Sequence, residues 1–335
     1  MSKEALSLQS EIYSLRSTEQ ALHTGHLLFG LYKTGKINFL LTKAEIFDNV
    51  SASDTNTSGT EGREYMNTEV IRERKSVRTY KDQEIPEQTL DKVRNYLQKD
   101  TGLFDVPIEF TILNAKNDNV SSPVIIGADT YIAGKYKRQK NAEVSFGYAF
   151  EKFVLYATSL GLGTVWLAAT IDRKAFEKAV HLKEDEVMPA VTPLGFAAEK
   201  RSIREGMMRK GLKSDSRLPI EQLFFQDGFQ KPLNQAASGI WNLPLEMVRL
   251  APSATNKQPW RAVAEKDRVH FYEKKTKGYA KESTGDIQKV DLGIALCHFE
   301  IAAEERRLKG RFIQTDPGIP AAEDTEYIAT FELER

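Results

Sequence analysis

Apolar residues after position 65 recur with helical spacing in some segments and with strand spacing in others. Pro86 begins a helix that carries Leu90, Val93 and Leu97 on one face, and residues 106–113 alternate as a strand does. The pattern also predicts a short helical segment from 70 into 74–78, helices at 143–160, 172–180, near 234–250 and 287–308, and strands at 124–128, 164–168, 187–196, 261–264, 268–273 and 327–333. Helices and strands alternate without a strict β–α–β order, which predicts an α+β fold.

Two of the predicted helices have matching sequences. Residues 144–157 and 290–303 align at a constant offset of 146 positions, and Val, Gly, Ala, Phe and the last Ala coincide. The alternative is that two buried helices share a period by chance. A glycine inside a helix costs about 1 kcal/mol relative to alanine, so Gly147 and Gly293 indicate close helix–helix packing. We therefore predict two related halves, residues 66–228 and 229–335, that pack as a pseudo-dimer about a pseudo-twofold axis.

The first 65 residues differ from the rest. Residues 1–50 have only a weak pattern, and residues 51–64 contain no large apolar side chain, which is typical of a flexible linker. Residues 61–65 can be encoded by a purine-rich run of the kind that precedes a bacterial start codon. Two hypotheses follow: Met66 is the native start, or residues 1–65 are a genuine, weakly structured extension. The intact mass of the protein made from its native gene distinguishes them, and a species beginning at Met1 would contradict the first.

Charge and composition narrow the classes of partner. The 335 residues include 47 Lys and Arg and 47 Asp and Glu, so the formal net charge is zero. This balance argues against nucleic acid or an anionic membrane as the main partner, although a local basic pocket remains compatible with it. We expect no membrane span and no signal peptide. The single cysteine, Cys297, cannot form an internal disulfide, which favours a reducing, cytoplasmic location.

A short basic segment is the first candidate for chemistry. Arg74, Lys75, Ser76 and Arg78 place three cations and a hydroxyl within five residues. Guanidinium groups match phosphate oxygens in pairs, and an ammonium group adds a point charge. The alternative is an ordinary solvated surface segment.

A polar loop at 251–260 is the second candidate. Pro252 and Pro259 restrict its backbone at each end. Between them lie side chains that can donate and accept hydrogen bonds at the edge of a planar ligand: Ser253, Thr255, Asn256 and Gln258. The alternative is a turn in which these side chains bind their own backbone before a strand.

The glycine turn at 161–164 and the histidines add little catalytic signal. The turn follows a helix and precedes a predicted strand, the reverse of the order in a Rossmann fold. The five histidines show no spacing typical of a metal site or a catalytic triad, and we predict no bound metal. An enzyme without its own acid, base or nucleophile signature is expected to use a cofactor for the chemistry.

Three segments together resemble motifs of the nitroreductase family of FMN enzymes. They are the basic segment with Tyr80, the Gly-Leu-Gly-Thr turn at 161–164, and the Pro-Ser-Ala-Thr-Asn-Lys-Gln-Pro-Trp loop at 252–260. The resemblance covers residues 68–335 and implies a nitroreductase-like α/β sandwich. The loop usually comes before the glycine turn, whereas here it comes last. This order resembles fused, two-lobed members of the family, in which one chain mimics the usual homodimer.

The resemblance implies the residues that bind the cofactor. Arg74, Lys75, Ser76 and Arg78 would surround the phosphate, ribityl chain and ring edge of FMN, and the backbone of Leu167 and Ala168 would approach flavin N5. Arg217 resembles a late basic residue that returns to the phosphate. The second half would contribute Pro252, Ser253, Thr255, Asn256 and Gln258. Because each half holds only part of the set, we expect one FMN per chain, and a monomer is plausible.

The implied reaction is ping-pong hydride transfer through flavin N5, with no catalytic side chain of the protein's own. NAD(P)H would deliver hydride, and a small-molecule acceptor such as a nitroaromatic or a quinone would then take the electrons. Two other functions remain open: a non-catalytic flavin-binding or redox-sensing protein, and another flavin chemistry on the same scaffold.

Overall fold

The computed structural model describes residues 66–99, 102–199, 216–234 and 238–334, all of which belong to one compact unit, Glu64–Arg335. The predictions for residues 1–65 lie outside the described residues. The seven α-helices among the described residues are α1 (Thr68–Glu73), α2 (Glu87–Leu97), α3 (Ala142–Ser159), α4 (Arg173–Ala179), α5 (Ile220–Leu223), α6 (Asn242–Leu250) and α7 (Ile287–Glu305). Side chains of Asn67, Asp172 and Asp286 cap α1, α4 and α7 by accepting backbone N–H bonds in the first turn.

Two antiparallel-rich sheets flank the long helices. The first contains β1 (Glu109–Asn114), β2 (Thr130–Lys137), β3 (Glu186–Val187) and β4 (Val191–Leu194), with β2 paired to the other three. The second contains β5 (Phe224–Gln226), β6 (Trp260–Ala264), β7 (Arg268–Lys274), β10 (Gly310–Ile313) and β11 (Thr325–Leu333), in the order β10-β11-β7-β6-β5. A small hairpin, β8 (Ala280–Lys281) and β9 (Gly285–Asp286), precedes α7. This mixture confirms the predicted α+β class.

The two matched helices, α3 and α7, form the centre of the molecule. Phe146 and Phe150 of α3 pack with Ile132 of the first sheet, while Leu296 and Phe299 of α7 pack in the core of the second. The helices meet each other at their glycines. A Cβ added at Gly147 would lie within 3.0 Å of three backbone atoms of Val290, and one added at Gly293 would meet Val144, Tyr148 and Gly147 equally closely.

This contact is reciprocal, because Val144 and Gly147 correspond to Val290 and Gly293 at the offset of the repeat. A twofold axis requires each patch to face the matching patch of the other copy. The predicted pseudo-dimer therefore fits the packing of the central helices, and the glycines are explained by helix backbones in contact.

Two predicted strands are wrong. Residues 124–128 are half-buried or exposed and make a single bridge, Thr79 to Ile126, because Gly127 turns the chain at φ +81° beside the Tyr80 carbonyl. The actual strand is β2, which begins at Thr130. Residues 164–168 also form no regular strand. Their backbone groups form hydrogen bonds with separate segments of the chain, so this segment does not pair with any one strand over its length.

The strand β5 crosses from the first half of the sequence into the second sheet. Phe224–Gln226 pair in parallel with Ala262–Ala264 of β6, although they precede the predicted boundary at 228/229. The boundary itself stays a prediction. The pairing ties the end of the first half to the body of the second.

No helix in the described part of the chain combines the length and the apolar character that a bilayer crossing needs.

A buried carboxyl on β7 gives stability a testable pH dependence. Glu273 is 1 % exposed, and burial raises its pKa from 4.5 to about 7. The charges of Asp286 and Glu326 also raise this pKa, and those of Lys289 and Lys275 lower it. Between those values the native state binds more protons than the unfolded state, so the free energy of unfolding falls as the pH rises and levels off above about pH 7.

We expect Glu273→Gln to remove this fall. The variant should gain stability relative to the parent as the pH rises from about 5 to about 8, by on the order of 2 kcal/mol. Urea unfolding at a series of pH values measures the difference. A difference that stays constant with pH would contradict the assignment.

Candidate functional site

A cavity of about 460 Å³ gathers residues from both halves of the chain. Every residue predicted from the sequence except Gln258 lines it: Arg74, Lys75, Ser76, Arg78, Leu167, Ala168, Arg217, Pro252, Ser253, Thr255 and Asn256. Segments that are up to 182 positions apart, from 74 to 256, therefore meet at one site.

The basic segment reaches the cavity because α1 ends just before it. Glu73 is the last residue of α1, and Val77 N–H then donates to the Thr164 carbonyl at 2.8 Å. Val77 packs so closely on Gly163 that a Cβ there would lie 2.9 Å from its side chain. The glycine turn thus lets the basic segment lie beside it, and the side chains on either side of Val77 line the cavity.

The polar loop has a strained backbone that its own side chains support. Thr255, Asn256 and Gln258 have φ of 50°, 57° and 51°, in the left-handed region that residues other than glycine rarely adopt. Ser253 Oγ accepts from Gln258 N–H at 2.9 Å, and Thr255 Oγ1 is hydrogen-bonded to the Tyr279 hydroxyl. Ser253 thus binds the loop's own backbone, as the alternative interpretation expected, whereas Thr255 binds a residue outside the loop, and the loop also lines the cavity.

Arg217 and Gln258 tie the chain around 216–218 to this loop. Arg217 Nη2 donates to the Leu250 carbonyl at 3.0 Å, and Gln258 Oε1 accepts from Leu218 N–H at 2.9 Å. Asn256 Nδ2 donates to the Ser216 carbonyl at 3.0 Å. The Gln258 side chain is buried behind the loop, so the structure places it as a support and not in the cavity lining.

The segment 165–170 forms another wall of the cavity, and hydrogen bonds hold it in place along its length. Leu167 exchanges two backbone hydrogen bonds with Val191, each 2.9 Å long, and Val165 N–H donates to Thr192 Oγ1 at 3.0 Å. The Thr170 carbonyl accepts from Ser122 Oγ at 2.6 Å. Because Val191 occupies the Leu167 N–H, Leu167 can approach a ligand only through its other atoms.

Sequence reasoning missed Asp291, a buried acid in the cavity lining. Both of its carboxyl oxygens lie close to Ala254 N–H, at 3.0 and 3.1 Å, so it anchors the polar loop to α7. Burial raises the pKa of Asp291 well above its usual value. A charged residue between the apolar residues Val290 and Leu292 was the available signal, and the matching position in α3 is Ser145. Trp166, Val290 and Ile294 were missed too, and they are apolar lining.

The charges of the lining are unequal. Arg74, Arg78, Arg217 and Lys75 face a single carboxyl group, that of Asp291, whose raised pKa favours its neutral form. The site therefore attracts an anionic group, while its apolar residues suit the body of a larger ligand.

A protein-family model described as "Putative TM nitroreductase" matches residues 67–303, which span most of both halves. The chain belongs to this nitroreductase family. It is accordingly an oxidoreductase with a nitroreductase fold.

Comparison with solved structures finds similar proteins. The chain is similar to a Thermotoga maritima MSB8 protein described as a "putative nitroreductase", with 24% identity, a TM-score of 0.51, and coverage of 83% of this chain and 98% of that chain. A nitroreductase family protein of Clostridium novyi NT shares 20% identity, with a TM-score of 0.35 and coverage of 41% and 89%. An FMN-dependent nitroreductase of Clostridium difficile R20291 shares 19%, with a TM-score of 0.31 and coverage of 42% and 94%. No curated protein matches the sequence.

This nitroreductase is asymmetric around its central helices. Asp291 of α7 holds the polar loop, whereas the matching Ser145 of α3 accepts from Leu103 N–H at 2.9 Å and donates to the Val106 carbonyl at 3.1 Å. The same helix position thus supports a loop in each half, but only the loop of the second half has the Pro-Ser-Ala-Thr-Asn sequence.

Proposed function

We propose that this nitroreductase is an FMN-dependent NAD(P)H oxidoreductase that reduces small acceptors such as nitroaromatics or quinones. One observation carries the proposal. The basic segment at 74–78 and the 165–170 wall of the first half line a single cavity with the polar loop of the second half, and the lining has an excess of positive charge.

The lining fits FMN. FMN joins a phosphate to a planar, largely apolar ring through a polyhydroxylated chain, and the cavity offers cations, polar side chains and apolar residues for these parts. Arg74 Nε is buried and makes no hydrogen bond to the described residues; Glu151 Oε1 lies 3.7 Å away. A buried donor of this kind gains from an anionic acceptor in the cavity.

The chain's own residues would bind and orient the cofactor and exclude water. The cations would hold the phosphate, and Ser253, Thr255 and Asn256 would lie at polar edges of the cofactor. Bound FMN would supply two-electron chemistry, with hydride taken from NAD(P)H and then passed to the acceptor. Because both substrates would use the same exposed face in turn, we expect ping-pong kinetics.

We expect one FMN per chain, because only one cavity in the described residues combines both motif sets. Two acids near the cavity, Glu151 and Asp291, have no acidic counterpart across the pseudo-twofold axis. At the offset of the repeat, Glu151 corresponds to Cys297 and Asp291 corresponds to Ser145. We also propose a monomer, because the contact between α3 and α7 within one chain would replace a contact between two subunits. We propose a cytoplasmic location, which the single cysteine favours. Light scattering on the purified protein tests the monomer.

Purified protein tests the function directly. We expect flavin absorbance, about one FMN released per chain, and oxidation of NADH or NADPH that depends on a nitroaromatic or quinone. Bound flavin without turnover would favour a redox-sensing role. Absence of bound flavin even after incubation with FMN would overturn the proposal, and two FMN per chain would overturn the single site.

We expect Arg78→Ala to weaken FMN binding at least about tenfold, because a charge-assisted hydrogen bond or ion pair to the phosphate is lost. Fluorescence quenching of FMN by the apoprotein measures the affinity. Lys257→Ala is the matched control, since Lys257 is an exposed cation of the polar loop that does not line the cavity. Equal affinities of the two variants would contradict a specific role for Arg78.

A further inference from the structure

Arg173, the first residue of α4, lies behind the 165–170 wall and binds backbone carbonyl groups from several segments. Nη2 donates to the Ala168 carbonyl at 2.7 Å and Nη1 donates to the Met188 carbonyl at 2.8 Å. Longer bonds of 3.4 and 3.3 Å reach the carbonyls of Pro189 and Ser283. Its carboxylate neighbour, Glu177, is 3.6 Å away. Most of the hydrogen-bonding capacity of this guanidinium is therefore used on the backbone.

The Ala168 carbonyl belongs to a peptide group of the cavity wall. The N–H of that same peptide group is the N–H of Ala169, and both residues line the cavity. A cationic donor on the carbonyl polarises the peptide group and makes its N–H a stronger donor. The 2.7 Å bond from Nη2 places the positive charge of Arg173 directly beside this peptide dipole, and burial lowers the pKa of Arg173.

The same side chain connects the wall to the second half. Ser283 lies in the turn of the β8–β9 hairpin, just before α7, whose Ile287, Val290 and Asp291 form part of the lining. Arg138 makes a second link to this hairpin by donating to the Glu282 carbonyl at 2.8 Å. Among the described residues, however, Arg138 makes no hydrogen bond to the wall, and it lies among exposed residues directly after β2.

We propose that Arg173 is a positioning residue that fixes and polarises the backbone of the 165–170 wall and thereby adjusts the electron affinity of the cofactor ring. The inference rests on the proposed function, since it needs a flavin in the cavity. Arg173 does not line the cavity; it acts through Ala168 and Ala169, which do.

The test compares Arg173→Gln, Arg173→Lys and Arg138→Gln in the holoprotein. The midpoint potential of bound FMN is measured against reference dyes, and FMN affinity is measured by fluorescence quenching. We expect Arg173→Gln to make the potential more negative and to weaken FMN binding about tenfold. Arg173→Lys keeps the positive charge but not the planar guanidinium with its several donors. Its midpoint potential and FMN affinity should therefore lie between those of Arg173→Gln and those of the parent.

Arg138→Gln distinguishes an effect on the 165–170 wall from an effect on the β8–β9 hairpin. It removes a link to the same hairpin and should leave the potential unchanged. If Arg173 only secured the hairpin, both glutamine variants would alter FMN affinity alike and neither would shift the potential, which would overturn the inference. A parent protein that binds no FMN would instead overturn the proposed function, so the two failures are distinguishable.

Discussion

Gly147→Ala is expected to lower the free energy of unfolding by about 2–3 kcal/mol, even though alanine is the better helix former. The added Cβ would overlap the Val290 carbonyl group, which is backbone and cannot rotate away as a side chain does. Relief requires α3 and α7 to separate along the contact that joins the two halves. Chemical denaturation measures the loss, and Gly293→Ala should lose a similar amount because the contact is reciprocal.

Gly228→Ala is the matched control. A Cβ at Gly228 meets nothing within 4 Å, and its φ is not in the left-handed region, so the substitution should change stability by less than about 0.5 kcal/mol. If Gly147→Ala and Gly228→Ala had equal midpoints, the helices would not be in the close contact described. Since Val290 and Asp291 line the cavity, Gly147→Ala should also weaken FMN binding.

Part of the cavity lining was predictable from local sequence. The basic segment and the polar loop have distinctive compositions and both line the cavity, whereas Leu167, Ala168 and Arg217 were expected only through the family resemblance. The small residues of the repeat predicted close packing of two helices, and the glycines of α3 and α7 are in contact. A pattern of residues along one face of one helix or strand can be recognised in a single sequence.

Features that depend on pairing between distant segments were not predictable. The apolar run at 124–128 has strand composition, yet the turn at Gly127 takes it out of the sheet. β2 contains Gly134 and the buried Lys135, which weaken a strand pattern; the lysine is tolerated because Glu186 of β3 lies 2.8 Å from its ammonium group. Gln258 belonged to the loop motif, but its side chain supports Leu218, a contact that spacing does not show.

Glu151 was overlooked for a similar reason: its partners, Arg74, Trp166 and His298, come from three separate segments. Its side chain is fully buried in α3, where Oε2 accepts from Trp166 Nε1 at 2.8 Å. Oε1 lies 2.9 Å from His298 Nε2 of α7 and 3.7 Å from Arg74 Nε. His298 Nδ1 lies 3.1 Å from the Met247 carbonyl, which can only accept, so Nδ1 carries a proton. Glu151 therefore braces two lining residues, Arg74 and Trp166, against the second half.

Glu151→Leu is expected to lower the free energy of unfolding by about 3–5 kcal/mol, because it leaves the Trp166 donor buried without an acceptor, His298 Nε2 without its partner and Arg74 without its countercharge. Glu246→Leu is the control. Glu246 pairs with Arg249 on the surface of α6, and such pairs contribute no more than about 1 kcal/mol. Chemical denaturation compares the two variants, and similar losses would contradict the assigned role.

If the Glu151→Leu variant does not fold, Glu151→Gln tests the role of Glu151 instead. The amide can still accept from Trp166 and remains a polar partner for His298 Nε2, so stability should fall by only about 1–2 kcal/mol. Arg74, however, loses the carboxylate that lies beside it, and its guanidinium is then free to turn away from the cavity. FMN affinity should therefore fall more in Glu151→Gln than in Glu246→Gln. Unchanged FMN affinity in a stable, folded Glu151→Gln variant would show that Glu151 stabilises the fold without positioning the site.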